Sequence, residues 1–349
     1  MSESVVIVGG GLLGCATAWE LARRGARVTV LEKVVPGAEA SSAAAGILSP
    51  RMEAHGNADA RAIGVESLSL YRGWAAGLRR GVDLRWNGVV RVVLPDEDAA
   101  AVRPDVDAVW LDLAELRRRE GVGAVQGGWW LPEEGSVDPR KLMAAVHAAA
   151  VGSGVTVRGG AEVVAVAPDR VALADGSVVE GRVVVCAGAW TARVPGLQGL
   201  PVRPVRGQMM AVRGSLTPAA VLFGAGGYAV PRVDGRTLVG ATVEEVGFER
   251  GVTVAGLRHL TGVAEGLLPR LANATVVETW SGFRPGTPDG LPLVGEVNGI
   301  FVATGHFRNG ILLAPLTARW VADTLLDGAA VPTGVGARRA AVIGGNLSE

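Results

Sequence analysis

Cysteine is scarce in this chain, because only Cys15 and Cys186 occur among 349 residues and both lie in apolar segments. Two cysteines cannot build a disulfide framework or a metal cluster, which is typical of a protein from a reducing compartment. The sequence also has no His, Cys and Asp cluster at metal-ligand spacing, so we expect no bound metal.

Neither sign of charge is in excess, since 34 basic side chains balance 34 acidic ones. This balance argues against nucleic acid or an anionic membrane as the main partner. The apolar stretch 5–19 is too short and too rich in glycine to span a bilayer, and no basic leader precedes the first strand. We therefore expect a cytoplasmic protein with no membrane or nucleic-acid partner.

The first thirty-two residues contain a complete strand–turn–helix–strand pattern. Residues 5–8 are apolar and β-branched, and residues 9–14 read G-x-G-x-x-G. A helix is predicted over 15–24, and a second strand over 27–31 ends at Glu32. This order of elements is typical of a Rossmann-like dinucleotide site, and a purely structural glycine turn is the alternative.

Each part of the pattern has a role if a dinucleotide binds. Gly9 and Gly11 allow a tight turn and a close approach of the backbone, and Gly14 lets the helix contact the strand. The N–H groups at the start of the helix face the pyrophosphate, and Glu32 accepts hydrogen bonds from the ribose hydroxyls. An acid at this position disfavours a 2′-phosphate, but FAD and NAD remain equally consistent with these residues.

The middle of the chain predicts a second, inserted domain. Residues 84–94 alternate as a strand and a helical segment follows through Leu116, whereas 200–280 read as antiparallel strands followed by a helix over 254–268. The expected fold is α/β, with a discontinuous Rossmann-like nucleotide-binding domain and an inserted α+β substrate domain on an antiparallel sheet. The first comprises 1–84, 131–200 and 281–330, the second 85–130 and 201–280, and 331–349 is expected to be a partly disordered C-terminal tail.

The last section of the chain again predicts a strand, a glycine-rich turn and a helix in that order, as the first section does. Residues 280–292 are rich in Pro and Gly and predict rigid turns, and residues 300–305 form a buried strand. Residues 306–310 then lead into a helix over 311–326, which makes a second strand–glycine–helix unit.

Four motifs together resemble the D-amino-acid-oxidase-like flavoenzymes, an FAD-dependent amine oxidoreductase family. They are the opening strand–GGG–helix–Glu32 unit, the Ser-Ala-Ala-Ala-Gly run at 42–46, Cys-Ala-Gly-Ala-Trp at 186–190, and RPGTPDGLP at 284–292 with TGHFRNGILLAP at 304–315. The closing block is most similar to the glycine-oxidase branch, which serves thiazole synthesis. The likeness covers about 3–327, and it implies FAD rather than NAD.

The resemblance also implies roles for single residues. Arg284 matches the arginine that pairs with the substrate carboxylate, a role that suits a planar guanidinium. Tyr228 and Arg308 match a pocket tyrosine and a second substrate-side arginine, although a role for Arg308 in the flavin loop is equally open. His306 is expected to serve the flavin through its backbone rather than as a catalytic base. His55, His147 and His259 are given no role.

The expected FAD contacts lie in the glycine loop, the small-residue run, the middle strands and the closing loop. They are Gly9, Gly11, Leu12, Leu13, Gly14, Glu32, Lys33, Ala40, Ser41, Ser42, Ala45, Gly46, Ile47, Val163 (with Val164 as the one-residue alternative), Gly188, Gly305, His306, Phe307, Arg308, Asn309, Gly310, Ile311 and Leu312. No cysteine follows Cys186 to tether a flavin, so we expect FAD to be bound non-covalently.

The sequence departs from the family pattern at two places that are expected to line the substrate pocket. Gly226 and Gly227 stand where a member of the glycine-oxidase branch carries a histidine, and Val243 stands where that protein carries a methionine. These departures leave the choice among glycine, sarcosine and small D-amino acids open.

The implied reaction is FAD-dependent oxidative deamination of glycine, with sarcosine and small D-amino acids as further candidates, without an acid–base pair in the protein. Hydride passes to the flavin, the imine is hydrolysed to the oxo acid and ammonia or amine, and oxygen accepts the electrons to give peroxide. The alternatives are a D-amino-acid dehydrogenase or sarcosine-oxidase-like enzyme with another acceptor or amine, and a flavin-bound RNA-interacting protein. The resemblance also implies a homo-oligomer, a tetramer in many relatives.

Overall fold

The computed structural model describes residues 3–54, 57–105, 107–214 and 217–340. His55 and the tail beyond residue 340 therefore lie outside the described residues. Of the helices in the described ranges, none is both long and apolar enough to cross a membrane. The α-helices are α1 (Leu12–Arg23), α2 (Ala40–Ala43), α3 (Pro50–Glu53), α4 (Ala58–Ala76), α5 (Leu113–Glu120), α6 (Pro139–Gly152), α7 (Val254–Leu267) and α8 (Ala314–Asp327).

The strands fall into four sheets. They are β1 (Ser4–Val8), β2 (Arg27–Leu31), β3 (Ile47–Leu48), β4 (Val89–Val93), β5 (Val109–Asp112), β6 (Gly127–Leu131), β7 (Gly135–Ser136), β8 (Thr156–Arg158), β9 (Val163–Ala167), β10 (Arg170–Leu173), β11 (Val178–Glu180), β12 (Arg182–Val185), β13 (Arg203–Arg213), β14 (Val221–Gly224), β15 (Gly227–Pro231), β16 (Arg236–Gly240), β17 (Thr275–Gly286), β18 (Leu293–Val297) and β19 (Ile300–Thr304).

The six-stranded sheet has the order β18-β19-β12-β1-β2-β8. Its pairs are parallel except for β18 with β19 at the edge, and β1 lies between β2 and β12. Val5 and Ile7 of β1 are buried in one core with residues of α1, α6 and α8, and Val6 and Val8 are buried in a second core. A strand that is covered on both faces reads as a continuous apolar run, here from Val5 to Val8.

The eight-stranded sheet has the order β17-β13-β16-β15-β14-β4-β6-β5. Its pairs are antiparallel except for the parallel pair of β4 with β14, so the sheet is mixed rather than purely antiparallel as expected. Helix α7 contributes Leu260, Val263 and Leu267 to the core on one face of this sheet. The smaller sheets are β11-β10-β9 and β3-β7. The domain boundaries given above stay a prediction.

Two local predictions are wrong. Residues 280–286 were predicted as rigid turns, yet they belong to the twelve-residue strand β17. Pro285 is tolerated because β17 is an edge strand of its sheet, where a missing N–H breaks no inner ladder. The helix predicted before Leu116 is also shorter, because strand β5 precedes it and Asp112 caps α5 by accepting a hydrogen bond from the Glu115 N–H.

The described part of the tail contains two short turns. Residues 333–335 and 337–339 form short 3₁₀ turns, and Val335 and Ala337 are buried. Arg339 pairs with Asp289 at 2.7 Å, which joins these turns to the loop after β17.

Gly14 and Gly73 form a matched pair for a stability test. Both are helical, but a Cβ at Gly14 would lie 2.0 Å from the Gly9 carbonyl oxygen, whereas a Cβ at Gly73 would meet nothing within 4 Å. We expect Gly14→Ala to lower the melting temperature by several degrees and Gly73→Ala to keep or raise it, since alanine favours helix by about 1 kcal/mol. Equal melting temperatures in a thermal scan of the two variants would contradict this account of Gly14.

Candidate functional site

A cavity of about 610 Å³ lies at the carboxyl edge of the six-stranded sheet and extends to β13 and β17 of the larger sheet. Its volume falls in the range of small-molecule sites. Residues of the glycine loop line one end of the cavity, and Tyr228, Arg284 and Arg308 line another part. The fold therefore brings residues of the first 53 positions and of 282–311 to one cavity.

The glycine loop leaves the start of α1 open to an anion. Gly9 has a positive φ of 108°, and a Cβ there would lie 2.5 Å from the Cys186 carbonyl oxygen. Gly11 is the N-cap of α1 and has no side chain to cap the helix, and the first turn of α1 contains no acid. A helix N-terminus that faces a cavity without a nearby acid in its first turn favours a phosphate group.

Glu32 and Ser41 both hold this loop in place. The Glu32 carboxylate accepts hydrogen bonds from the Gly10 N–H at 2.8 Å and the Val34 N–H at 3.0 Å. The Ser41 hydroxyl oxygen accepts one from the Leu12 N–H at 2.8 Å. Both side chains line the cavity, and their remaining lone pairs and the Ser41 O–H stay available to a ligand.

The outer end of the cavity is formed by Lys33, Glu162 and Val163. Lys33 pairs with Glu162 at 2.7 Å, and both side chains are exposed. Val163 lines the cavity, whereas Val164 is exposed and does not line it. The structure thus places the predicted position, rather than its one-residue alternative, at the cavity.

Two backbone segments form the inner walls. In the segment 44–47, Gly46 has a φ of 70°, and a Cβ there would lie 2.0 Å from the Val137 carbonyl oxygen. In the segment 306–311, Phe307 also has a positive φ, 45°, and its N–H donates to the Pro285 carbonyl at 2.9 Å. Tertiary contacts therefore hold both walls in backbone conformations that side chains rarely adopt.

His306 is a buried structural residue of the inner wall. Its Nε2 lies 2.9 Å from the Thr317 hydroxyl, and burial lowers the pKa of the imidazole to about 3. A pKa this low makes the ring a weak proton acceptor at neutral pH. The low pKa agrees with the expectation that His306 is not the catalytic base.

Arg284 projects from β17 across Gly207 of the paired strand β13. A Cβ at Gly207 would lie 2.4 Å from both terminal nitrogens of the guanidinium, so only glycine leaves room for it. The guanidinium donates to the Thr242 carbonyl at 3.1 Å and forms no ion pair with a carboxylate of the described residues. Burial lowers the pKa of Arg284.

Arg308 differs from Arg284, because its Nε pairs with the Glu53 carboxylate at 2.7 Å. Glu53 raises the pKa of Arg308, and both residues line the cavity. The Tyr228 hydroxyl donates to the Met209 sulfur at 3.2 Å, and burial raises the pKa of the phenol. The pair Glu53–Arg308 is neutral, so Arg284 is left as the uncompensated cation of this group.

Most of the predicted contacts line the cavity, but some do not. Gly14 lies against the Gly9 backbone rather than at the cavity. Gly305 has a positive φ, and a Cβ built there would point at Thr287. The predicted contacts outside the lining are Gly14, Ser42, Gly305, Asn309 and Leu312.

The expectation that Gly226, Gly227 and Val243 line the substrate pocket is wrong. Val243 is 56% exposed, and the Cβ directions of the two glycines face His259 and Gly240 rather than the cavity. The two departures from the family pattern therefore do not change the described cavity wall.

Sequence reasoning missed several residues of the cavity. Glu53 follows Ala45 by only eight residues, but nothing in the sequence indicates that it pairs with Arg308. Arg250 pairs with Glu39 at 2.6 Å, and its guanidinium lies 5.3 Å from the Phe283 ring centroid. Other missed lining residues are Met209, Arg193, Val194 and Pro195.

Cys186 also lines the cavity, and Cys15 lies beneath the glycine loop. Both are free and buried, and burial raises the pKa of each thiol to about 12. Thiols that stay protonated at neutral pH are poor nucleophiles. Within the described ranges, no group of three or more His, Cys, Asp or Glu residues has the geometry to hold a metal ion.

The fold and the cavity define the class of protein. A parallel sheet with a glycine turn, a helix N-terminus and a terminal acid at its carboxyl edge is the architecture of a Rossmann-like dinucleotide-binding protein.

The chain belongs to the DAO family, described as FAD dependent oxidoreductase, whose pattern matches residues 4–324. The walls of the cavity fit such a cofactor. A Cβ at Gly9 or Gly46 would clash with neighbouring backbone, so glycine at both positions keeps bare backbone along the cavity wall, and the N-terminus of α1 suits a pyrophosphate.

Several relatives are similar over nearly the whole chain. The bifunctional protein ThiO/ThiG of Synechocystis is 38% identical over 93% of this chain and 52% of its own length. This chain thus spans about half the length of the first curated relatives it matches. The glycine oxidase of Geobacillus kaustophilus is 36% identical over 91% of this chain and 92% of its own. A crystal structure of glycine oxidase from that organism has a TM-score of 0.86, with 34% identity over 95% of this chain and 96% of its own.

The contact between Gly207 and Arg284 predicts a defect in carboxylate binding. We expect Gly207→Ala to displace the guanidinium and weaken binding of glycolate, a small carboxylate probe, at least tenfold, which corresponds to about 1.4 kcal/mol. Binding is measured from the change in flavin absorbance. Gly199→Ala is the control, since a Cβ there meets nothing within 4 Å. Unchanged glycolate affinity in Gly207→Ala would contradict the placement of Arg284.

Proposed function

We propose that this chain is an FAD-dependent oxidase of small amino acids, with glycine as its first substrate. The observation that carries the proposal is the half-buried Arg284 guanidinium, which has no carboxylate partner among the described residues and lies in the cavity beside Tyr228 and Arg308. An unpaired cation that is partly withdrawn from water is costly, and an incoming carboxylate lowers that cost. The names of the relatives agree with this substrate class.

Arg284 binds and orients the substrate carboxylate. Its planar fork can form two charge-assisted hydrogen bonds, which fix the direction of the adjacent Cα. Tyr228 stays a neutral phenol because burial raises its pKa, so it adds no negative charge beside the carboxylate. The Glu53–Arg308 ion pair forms a neutral part of the same cavity and leaves Arg284 as the anion site.

The proposed cofactor contacts are those predicted above that line the cavity, from Gly9 and Glu32 to the inner walls at 44–47 and 306–311. When bound, FAD supplies the hydride acceptor and the route for electrons to oxygen. The protein contributes positioning and electrostatics, and this division explains why the cavity contains no free acid–base pair. His306 stays neutral and holds the wall through Thr317.

The finer parts of the proposal concern substrate, acceptor and pathway. Glycine is proposed first, with sarcosine and small D-amino acids as further substrates, oxygen as the acceptor, and thiazole synthesis as the pathway, in line with the ThiO/ThiG relatives. The dehydrogenase alternative predicts turnover without peroxide. The alternative of a flavin-bound RNA-interacting protein predicts no turnover.

The test is oxidation of glycine by the purified FAD-loaded chain and by Arg284 variants. The wild-type protein should give one peroxide and one glyoxylate per glycine. Arg284→Ala should raise KM about a hundredfold, because it removes about 3 kcal/mol of binding present in both ground and transition states, and Arg284→Lys should be intermediate. Arg203→Ala is the control, since Arg203 pairs with Glu245 outside the cavity.

Two outcomes would contradict the proposal. An Arg284→Ala variant with the KM of the wild type would show that Arg284 does not bind the carboxylate. Glycine turnover with an artificial electron acceptor but without peroxide would favour the dehydrogenase.

A further inference from the structure

Arg232 is a buried arginine directly behind the cavity wall. It follows β15, and only 6% of its surface is exposed. Its guanidinium donates to the Ala45 carbonyl at 2.6 Å and to the Val137 carbonyl at 3.3 Å. Ala45 lines the cavity, whereas Arg232 itself does not. The side chain therefore contacts the outer face of the wall that a ligand would contact from within.

The charge of Arg232 is not neutralised by an ion pair with any carboxylate that the structure describes. Asp138 accepts hydrogen bonds from the Arg140 and Lys141 N–H groups instead, and Asp234 pairs with Arg236 at 2.8 Å. Burial lowers the pKa of Arg232 to about 10, so the group stays charged at neutral pH. A full positive charge is thus held close behind residues 44–47.

The peptide between Ala45 and Gly46 connects this charge to the cavity. Its carbonyl oxygen is bound by Arg232, and the next carbonyl, that of Gly46, accepts from the Val137 N–H at 2.8 Å. The Gly46 N–H has no acceptor among the residues described. In a trans peptide the C=O and N–H groups point in opposite directions, so this N–H points away from Arg232.

We propose that Arg232 is a positioning residue for the flavin: it orients the Ala45–Gly46 peptide so that the Gly46 N–H donates to an electron-rich ring atom, and its charge favours the reduced cofactor. A hydrogen bond to the peptide oxygen polarises the same peptide and makes its N–H a stronger donor. Reduction adds electron density to the ring, so a fixed donor and a nearby cation stabilise the reduced form more than the oxidised form. The proposal rests on the FAD site proposed above.

The test compares Arg232→Met with the control Arg236→Met. Arg236 lies on the same hairpin, but it pairs with Asp234 and Glu278 and does not line the cavity. The readouts are the dissociation constant of oxidised FAD and the midpoint potential, measured by equilibrium reduction with a reference dye. We expect Arg232→Met to weaken binding of reduced FAD about tenfold more than that of oxidised FAD, which lowers the potential of the two-electron couple by about 30 mV. Arg236→Met should match the wild type.

Two further variants separate charge from structure. Arg232→Lys keeps the charge and should recover most of the potential, whereas Arg232→Gln keeps two N–H donors without charge and should not. If Arg232→Met does not fold, the comparison of Lys and Gln makes the same test. A variant without the charge that binds both redox forms equally weakly, at an unchanged potential, would overturn the proposal in favour of a purely structural role. A wild-type protein that binds no FAD would instead overturn the proposed cofactor site.

Discussion

The constraint on which the site depends is that the Arg284 guanidinium is half-buried without a carboxylate partner in the described chain. Its position requires the long pairing of β13 with β17 and a glycine at position 207, where any Cβ would occupy the same space. The neighbouring cation, Arg308, is neutralised by Glu53. Beside Tyr228 and Arg308, Arg284 is therefore a positive charge without an ion-pair partner among the described residues, and this charge favours an anionic group by electrostatics rather than by shape alone.

The cavity has two parts, one suited to the nucleotide and one suited to the substrate. The glycine loop, Glu32 and Ser41 form a hydrogen-bonded unit at the edge of the six-stranded sheet, while the larger sheet supplies Tyr228, Met209 and Arg284. Two walls of strained or glycine backbone join these parts. Since the tertiary contacts of these walls are buried, the site is formed by the packing of the two sheets and not by any single motif.

How much of the structure the sequence could predict depends on how far apart in the chain the contacting residues lie. The opening βαβ unit is local in sequence, and its glycines and terminal acid lie where the pattern places them. The strand that carries Arg284 was predicted as turns, because Pro285 and Gly286 are turn residues in isolation and only the edge position of β17 allows them in a strand.

The contacts that sequence could not predict join distant residues. Glu53 and Arg308 are separated by more than half of the chain, and neither residue type indicates its partner. Arg232 reads as an ordinary turn residue before Asp234–Gly235, and only the fold shows that it supports Ala45 from behind. The positions of Gly226, Gly227 and Val243 were inferred from family resemblance, which does not show where a Cβ points.

The most direct measurement is a crystal structure of this chain with FAD and glycolate bound. The account predicts the glycolate carboxylate within 3.2 Å of both terminal nitrogens of Arg284, as in a bidentate hydrogen bond, with the Glu53–Arg308 pair intact. A carboxylate bound to Arg308 or to the backbone, with Arg284 still directed at the Thr242 carbonyl, would contradict it.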